Sequence, residues 1–199
     1  MSTRATSVDP RVARRQARID DVLDAAWEIA RAEGLAAVSL HEVARRVGLR
    51  QPSLYSYFPS KSGLYDAMFA QGYRELIDQV GAVSPRAADP RRGLVELSRV
   101  ILGFAAADAA RQQLLFHRTI PGFTPSAESY ALAEEFLGFV TERLRAAGIT
   151  GQADVDIYTA LIGGLSAQQV ANEPGGNRWT KQLASVLAMF FAHVDAKVA

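Results

Sequence analysis

Hydrophobic residues recur along the chain at three- and four-residue spacing, and no stretch of useful length alternates as a half-buried strand would. Ile19, Val22, Leu23, Ala26 and Ala30 form the first such stripe. Asp9-Pro10 supplies a capping carboxylate and a proline at the first helical position, and Gly34 supplies a stop, so a first helix of about twenty residues is expected. Leu40, Val43, Ala44 and Val47 make a shorter stripe that ends at Gly48. It opens with Ser39-Leu40-His41-Glu42, a capping box in which Ser39 accepts from the Glu42 N–H and Glu42 reaches back to that of Ser39. Pro52 opens a third, short helix with Leu54 and Phe58 on one apolar face. Two short helices separated only by Gly48 to Gln51, and leaning on a longer helix, form a helix-turn-helix.

The helical pattern continues to the end. A fourth helix runs from a Ser60 cap to about Val80, and Ser84 to Asp89 is expected as a loop. Asp89-Pro90 repeats the cap-plus-proline start for a helix to about Ala107, and Asp108 to His117 gives a shorter one. Pro121-Gly122 and Thr124-Pro125 punctuate a turn, after which Thr124 or Ser126 opens a helix ending at Gly148. Two more follow, about Ala153 to Ala171 and Trp179 to Ala196, separated by Pro174-Gly175-Gly176. The expected fold class is therefore all-α with about nine helices. It divides into an N-terminal three-helix helix-turn-helix domain, 1–65, and a C-terminal helical domain, 66–199.

Composition narrows the function classes. At 199 residues and 49% hydrophobic, the chain can bury roughly 70% of its unfolded surface. The absence of cysteine excludes disulfides and thiolate metal sites. No apolar run approaches the ~18 residues of a membrane span, and the arginine-rich N-terminus lacks the apolar stretch of a secretory signal. A cytoplasmic protein without a membrane partner is expected. The totals, 22 basic and 21 acidic residues, leave a net charge of only +1. Their placement is uneven: residues 1–65 hold ten basic and seven acidic side chains, the remainder twelve and fourteen. No cofactor is expected, because Gly163-Gly164 lies inside an apolar helix rather than after a strand. His41, His117 and His193 are too scattered for metal ligation or a Ser-His-Asp arrangement. An enzyme is accordingly not expected.

The second helix of a helix-turn-helix meets base edges with its early side chains and phosphates with its flanks. Gln51 suits a bidentate contact to adenine, and Arg50 a guanine or a phosphate. Pro52 offers an apolar surface to a thymine methyl, while Ser53, Tyr55, Ser56 and Tyr57 carry hydroxyl donors. Lys61 joins a cation to the free N–H groups of a helix start, which favours a phosphate. Ser39 belongs to the same candidate face. The alternative for Tyr55 and Tyr57 is half-buried packing, and for the early arginines a solvated helix face.

The stretch from Leu40 to Leu64, with Val43-Ala44, Val47-Gly48-Leu49, Leu54-Tyr55-Ser56-Tyr57-Phe58 and Ser60-Lys61, resembles the DNA-binding domain of the tetracycline-repressor (TetR) family. The resemblance covers roughly Arg15 to Met68. It implies DNA contacts at Gln51, Pro52, Ser53, Tyr55, Tyr57 and Lys61, a homodimer on a palindromic double-stranded operator, and a ligand-responsive repressor. Two positions depart from the family pattern. Arg50 stands where a capping serine or threonine is usual, and Gly63 where glutamate is usual, which removes a capping box with Ser60. The alternative is a helical small-molecule carrier with a vestigial helix-turn-helix.

In the penultimate helix Ala160, Gly163, Gly164, Ala167 and Ala171 place small residues on adjoining turns, which permits close helix approach. The last helix adds an apolar stripe with Leu183, Leu187 and Phe190. The resemblance implies that these two helices form a four-helix dimer interface; the alternative is an ordinary core pair within one subunit. Phe69, Phe104, Phe116, Tyr130, Phe136 and Phe139 are candidate lining residues for a cavity, with His117 as a polar group. Such a pocket suits a small hydrophobic or aromatic effector.

Overall fold

The computed structural model describes residues 9–83, 89–117 and 119–197. Among them are nine α-helices, two single 3-10 turns and no strand. Most of the expected Ser84 to Asp89 loop, and Met1 to Val8, lie outside the described residues. The chain separates into two compact units, Met1–Met68 and Phe69–Ala199. The division falls inside the fourth helix, between Met68 and Phe69.

The N-terminal unit contains α1 (Pro10–Glu33), α2 (Leu40–Arg46), α3 (Gln51–Tyr55) and the start of α4 (Lys61–Gly81). Asp9 caps α1 by accepting from the Arg11 N–H at 2.8 Å, as the Asp-Pro start leads one to expect. Val22, Ala26, Trp27 and Ile29 of α1 are almost fully buried with Val43, Leu54 and Leu64. This core orients the two short helices. The turn between them needs a left-handed residue, and Gly48 has φ of 67°. The Leu49 N–H then reaches back to the Ala44 carbonyl at 2.9 Å and the Gly48 N–H to that of Arg45 at 3.4 Å. These are the two bonds of a Schellman stop. Helix α3 ends at Tyr55, earlier than the Leu54/Phe58 pair suggests. Pro59 disfavours helical backbone at Phe58, and Ser56 Oγ donates to the Ser53 carbonyl at 2.7 Å. Leu54 and Phe58 are nonetheless both buried.

The C-terminal unit contains the rest of α4 with α5 (Pro90–Ala107), α6 (Ala109–Phe116), α7 (Ala127–Ala146), α8 (Gln152–Asn172) and α9 (Leu183–Ala196). Helix α5 is central: Leu94, Leu97, Ile101, Leu102 and Ala105 are buried along one face, and it packs on α6, α7, α8 and α9. Ser98 and Tyr158 meet at 2.7 Å between α5 and α8. Ser98 Oγ also donates to the Leu94 carbonyl at 2.7 Å. Its single proton is thereby used, so Tyr158 is the donor of the pair. Helix α9 begins later than Trp179. The Trp179 and Thr180 N–H groups donate to Gln169 Oε1 at 2.9 and 3.3 Å, and a 3-10 turn, Thr180–Gln182, intervenes. No helix of the described residues is long and apolar enough to cross a membrane.

Candidate functional site

The first candidate surface is built by α3 and its flanks. Arg50, Gln51, Pro52, Ser53, Tyr55, Ser56 and Lys61 are exposed, and Ser39 and Tyr57 are half-buried. Because the α2–α3 turn is short and Leu54 points inward, the remaining side chains of α3 are forced outward together. Tyr55 is 46% exposed, more than packing alone would leave an aromatic side chain. The Arg15 guanidinium lies 5.2 Å from the centre of the Tyr57 ring, fixing that ring against α1. Lys61 Nζ donates to the Ala36 carbonyl at 3.0 Å and lies 5.4 Å from the Tyr65 ring centre. Two of its three protons stay available to an anion.

The capping box at α2 forms only in part. Ser39 Oγ accepts from the Glu42 N–H at 3.2 Å, but the Glu42 carboxylate turns away to Arg45, whose Nε donates to it at 2.9 Å. That hydrogen bond, with the charges of Arg45, Arg46 and His41, holds the Glu42 carboxyl below its usual pKa. A carboxylate gains more from a guanidinium than from a backbone N–H already near solvent. Arg46 lies within 3.8 Å of Glu28, Glu33 and Glu42. Both α2 arginines thus serve internal pairs, and the exposed Arg50 and Lys61 flank α3.

The second candidate site is a cavity of about 690 Å³ within the C-terminal unit, bounded by α4, α6, α7 and the segment joining α6 to α7. Of the expected lining residues, Phe69, Phe116, His117, Tyr130 and Phe136 bound it. Phe104 and Phe139 do not. Phe104 is buried elsewhere on α5, with the Arg111 guanidinium 5.6 Å from its ring centre. Tyr73 and Phe123 also line the cavity; helical spacing marks Tyr73 as apolar but does not say which cluster it joins. The Tyr73 hydroxyl donates to the Leu115 carbonyl at 3.0 Å, and burial, with a smaller contribution from Tyr130, raises its pKa. Where α4 approaches α6, a Cβ on Gly72 would stand 2.9 Å from Leu115 Cδ1, so the Leu115 side chain would have to shift to admit one.

The expected seam on α8 and α9 is corrected in part. Leu183, Leu187 and Phe190 are 5%, 1% and 2% exposed. They are core of the subunit, with the Phe190 ring 5.9 Å from that of Tyr158. Their helical neighbours are exposed instead. Ala188 and Met189 are exposed on α9, and Ala160, Gly163, Gly164 and Ala171 on α8, with Ala167 half-buried. Met189 is 72% exposed.

Residues 22–68 match the family model described as bacterial regulatory proteins, tetR family. The helix-turn-helix of the N-terminal unit is that of the tetR family. The chain is 27% identical over 121 residues to the HTH-type transcriptional regulator Rv1816 of Mycobacterium tuberculosis, covering 59% of this chain and 52% of that one. It thus spans about half the length of that relative. It is also 27% identical over 184 residues to the tetracycline repressor protein class A from transposon 1721 of Escherichia coli, covering 88% of this chain and 78% of that one. Among solved structures, regulatory protein SCO4313 superposes with a TM-score of 0.75 at 23% identity, over 92% of this chain and 100% of that one. This last likeness extends the shared fold to the C-terminal helices.

Within the TetR-family domain the two departures have visible consequences. Arg50 occupies the N-cap position of α3 and makes no side-chain capping bond; Pro52 in the first turn leaves one N–H fewer to satisfy. At α4, Ser60 Oγ still accepts from the Gly63 N–H at 3.0 Å, so half of the usual capping box survives without a glutamate.

Proposed function

We propose that this protein is a ligand-responsive transcriptional repressor that binds a palindromic DNA operator as a homodimer. The observation that carries the reading is the outward-facing row Arg50, Gln51, Pro52, Ser53 and Tyr55 on a short helix held by a buried Leu54. Gln51 and Arg50 provide base-edge chemistry, and Ser53, Tyr55, Ser56, Tyr57, Lys61 and Ser39 provide phosphate contacts. The repressor named for tetracycline among the relatives supports both the regulatory sense and a small-molecule effector.

The exposed small-residue face of α8 with Ala188 and Met189 of α9 supports the dimer. A homodimer carries two copies of α3, and successive major grooves are roughly 34–36 Å apart. The effector occupies the C-terminal cavity, where Phe69, Phe116, Tyr130 and Phe136 suit a hydrophobic or aromatic molecule and His117 supplies a polar contact. Helix α4 contributes residues to both units, and effector binding shifts the population toward a state that fits the operator less well.

The test is fluorescence anisotropy with DNA from upstream of the gene. Sequence-preferring, salt-sensitive binding that weakens with Gln51→Ala and Tyr55→Ala is expected. Equal binding to unrelated duplexes, unaffected by either substitution, would overturn the reading.

A further inference from the structure

We propose that the C-terminal cavity selects an organic cation, an apolar amine or onium group enclosed by aromatic faces and paired with Glu134. The inference deepens the effector reading above and rests on that cavity being the ligand site.

The first observation is the wall. Phe69, Tyr73, Phe116, Phe123, Tyr130 and Phe136 all line the space. The rings of Phe69, Tyr73, Phe116, Phe123 and Phe136 form a connected cluster, with centroids 4.8 Å apart for Phe69 and Tyr73, 6.5 Å for Phe69 and Phe123, 6.0 Å for Tyr73 and Phe136, and 6.4 Å for Phe116 and Phe136. The faces of such rings are negative, so a wall rich in them attracts a cation more than a neutral molecule of equal size. Tyr73 contributes its ring, since its hydroxyl is already given to Leu115.

The second observation is independent. Ala127, Tyr130, Glu134 and Leu137 recur at helical spacing on α7, and all four line the cavity. Glu134 therefore stands on an otherwise apolar stripe, one turn from Tyr130. It makes no hydrogen bond or ion pair with any described residue, and no lysine or arginine is found among the described lining residues. A free carboxylate at the edge of an aromatic enclosure repels an anionic ligand and adds nothing for a hydrocarbon. It attracts a cation, and the remaining polar groups, His117, Thr119 and Thr124, can accept hydrogen bonds from an amine. A volume of about 690 Å³ is ample for a drug-sized molecule.

The test uses two probes of nearly the same shape and opposite charge, tetraphenylphosphonium and tetraphenylborate, titrated calorimetrically into the full-length protein without DNA. The phosphonium is expected to bind at least about tenfold more tightly, the size of one cation–π contact with a part-exposed ion pair. Glu134→Gln should shrink that gap to about threefold or less with an unchanged Tm, because the side chain is exposed and has no partner among the described residues. Phe136→Leu, which keeps apolar volume and removes a ring face, should weaken the phosphonium more than the borate. Equal or tighter binding of the borate, no binding of either probe, or a gap that survives both substitutions would overturn the proposal. Operator binding measured separately on the same samples decides the regulator reading, so the two failures are distinct.

Discussion

In the proposed homodimer, replacing Met189 with arginine should dissociate the two subunits while leaving each folded. Met189 is 72% exposed on α9, so its side chain has little to lose within one subunit. Burying a methionine side chain contributes about 1.5–3 kcal/mol, and a two-fold interface repeats the contact. Losing both gives roughly 3–6 kcal/mol, or a dimer dissociation constant weaker by about 10²- to 10⁴-fold. An arginine placed at each side of the axis adds repulsion. The control is Leu187→Ala, four residues away in the hydrophobic stripe from Leu183. Leu187 is 1% exposed, so its truncation should cost about 2–5 kcal/mol of subunit stability. Sedimentation velocity over a dilution series reads the association, and denaturant unfolding at fixed protein concentration reads the stability. A dimer unchanged in Met189→Arg, together with dissociation and undiminished stability in Leu187→Ala, would return the interface to the stripe expected from sequence.

Gln51→Ala should weaken operator binding by about 1–3 kcal/mol, the worth of a bidentate adenine contact, with an unchanged Tm because Gln51 is exposed; anisotropy on operator and scrambled duplexes measures both affinity and preference. Ser98→Ala should destabilise more than Tyr158→Phe. The first leaves a buried Tyr158 hydroxyl without an acceptor, at about 1–3 kcal/mol, whereas the second leaves Ser98 bonded to Leu94 and costs about 0.5–1.5 kcal/mol; urea midpoints decide the order. The Tyr158 pKa is pushed up to about 12 by burial, against the smaller opposing effect of its bond to Ser98. Folding favours its neutral form, so its contribution is complete below about pH 10 and is lost as pH rises toward 12. Absorbance titration at 295 nm should show a late tyrosine phase that Tyr158→Phe diminishes, and loss of helical circular dichroism should accompany it.

Helix starts were legible wherever a residue acts on its own neighbours. Asp89-Pro90 places the start of α5 at Pro90, and Ser126, rather than Thr124, caps α7 by accepting from the Ser129 N–H at 3.2 Å. Elements that depend on distant groups were not. The delayed start of α9 depends on Gln169, ten positions before Trp179, and the incomplete capping box at Ser39 on a competition for Glu42 that Arg45 wins. The outward-facing row from Arg50 to Ser56 was legible because one buried residue, Leu54, sets the orientation of a single short helix.

The amino-acid sequence by itself determined an all-helical chain, the helix-turn-helix and its outward-facing polar residues, because capping, glycine turns and helical periodicity act over a few positions. Only the tertiary structure decided which apolar faces meet. Leu183, Leu187 and Phe190 form a stripe that either a neighbouring helix or a second subunit would satisfy equally well, and Tyr158 covers it from within. The same holds for the aromatic residues: spacing marks them all as apolar, and only packing separates Phe104, buried beneath Arg111, from the rings that enclose a cavity beside Glu134.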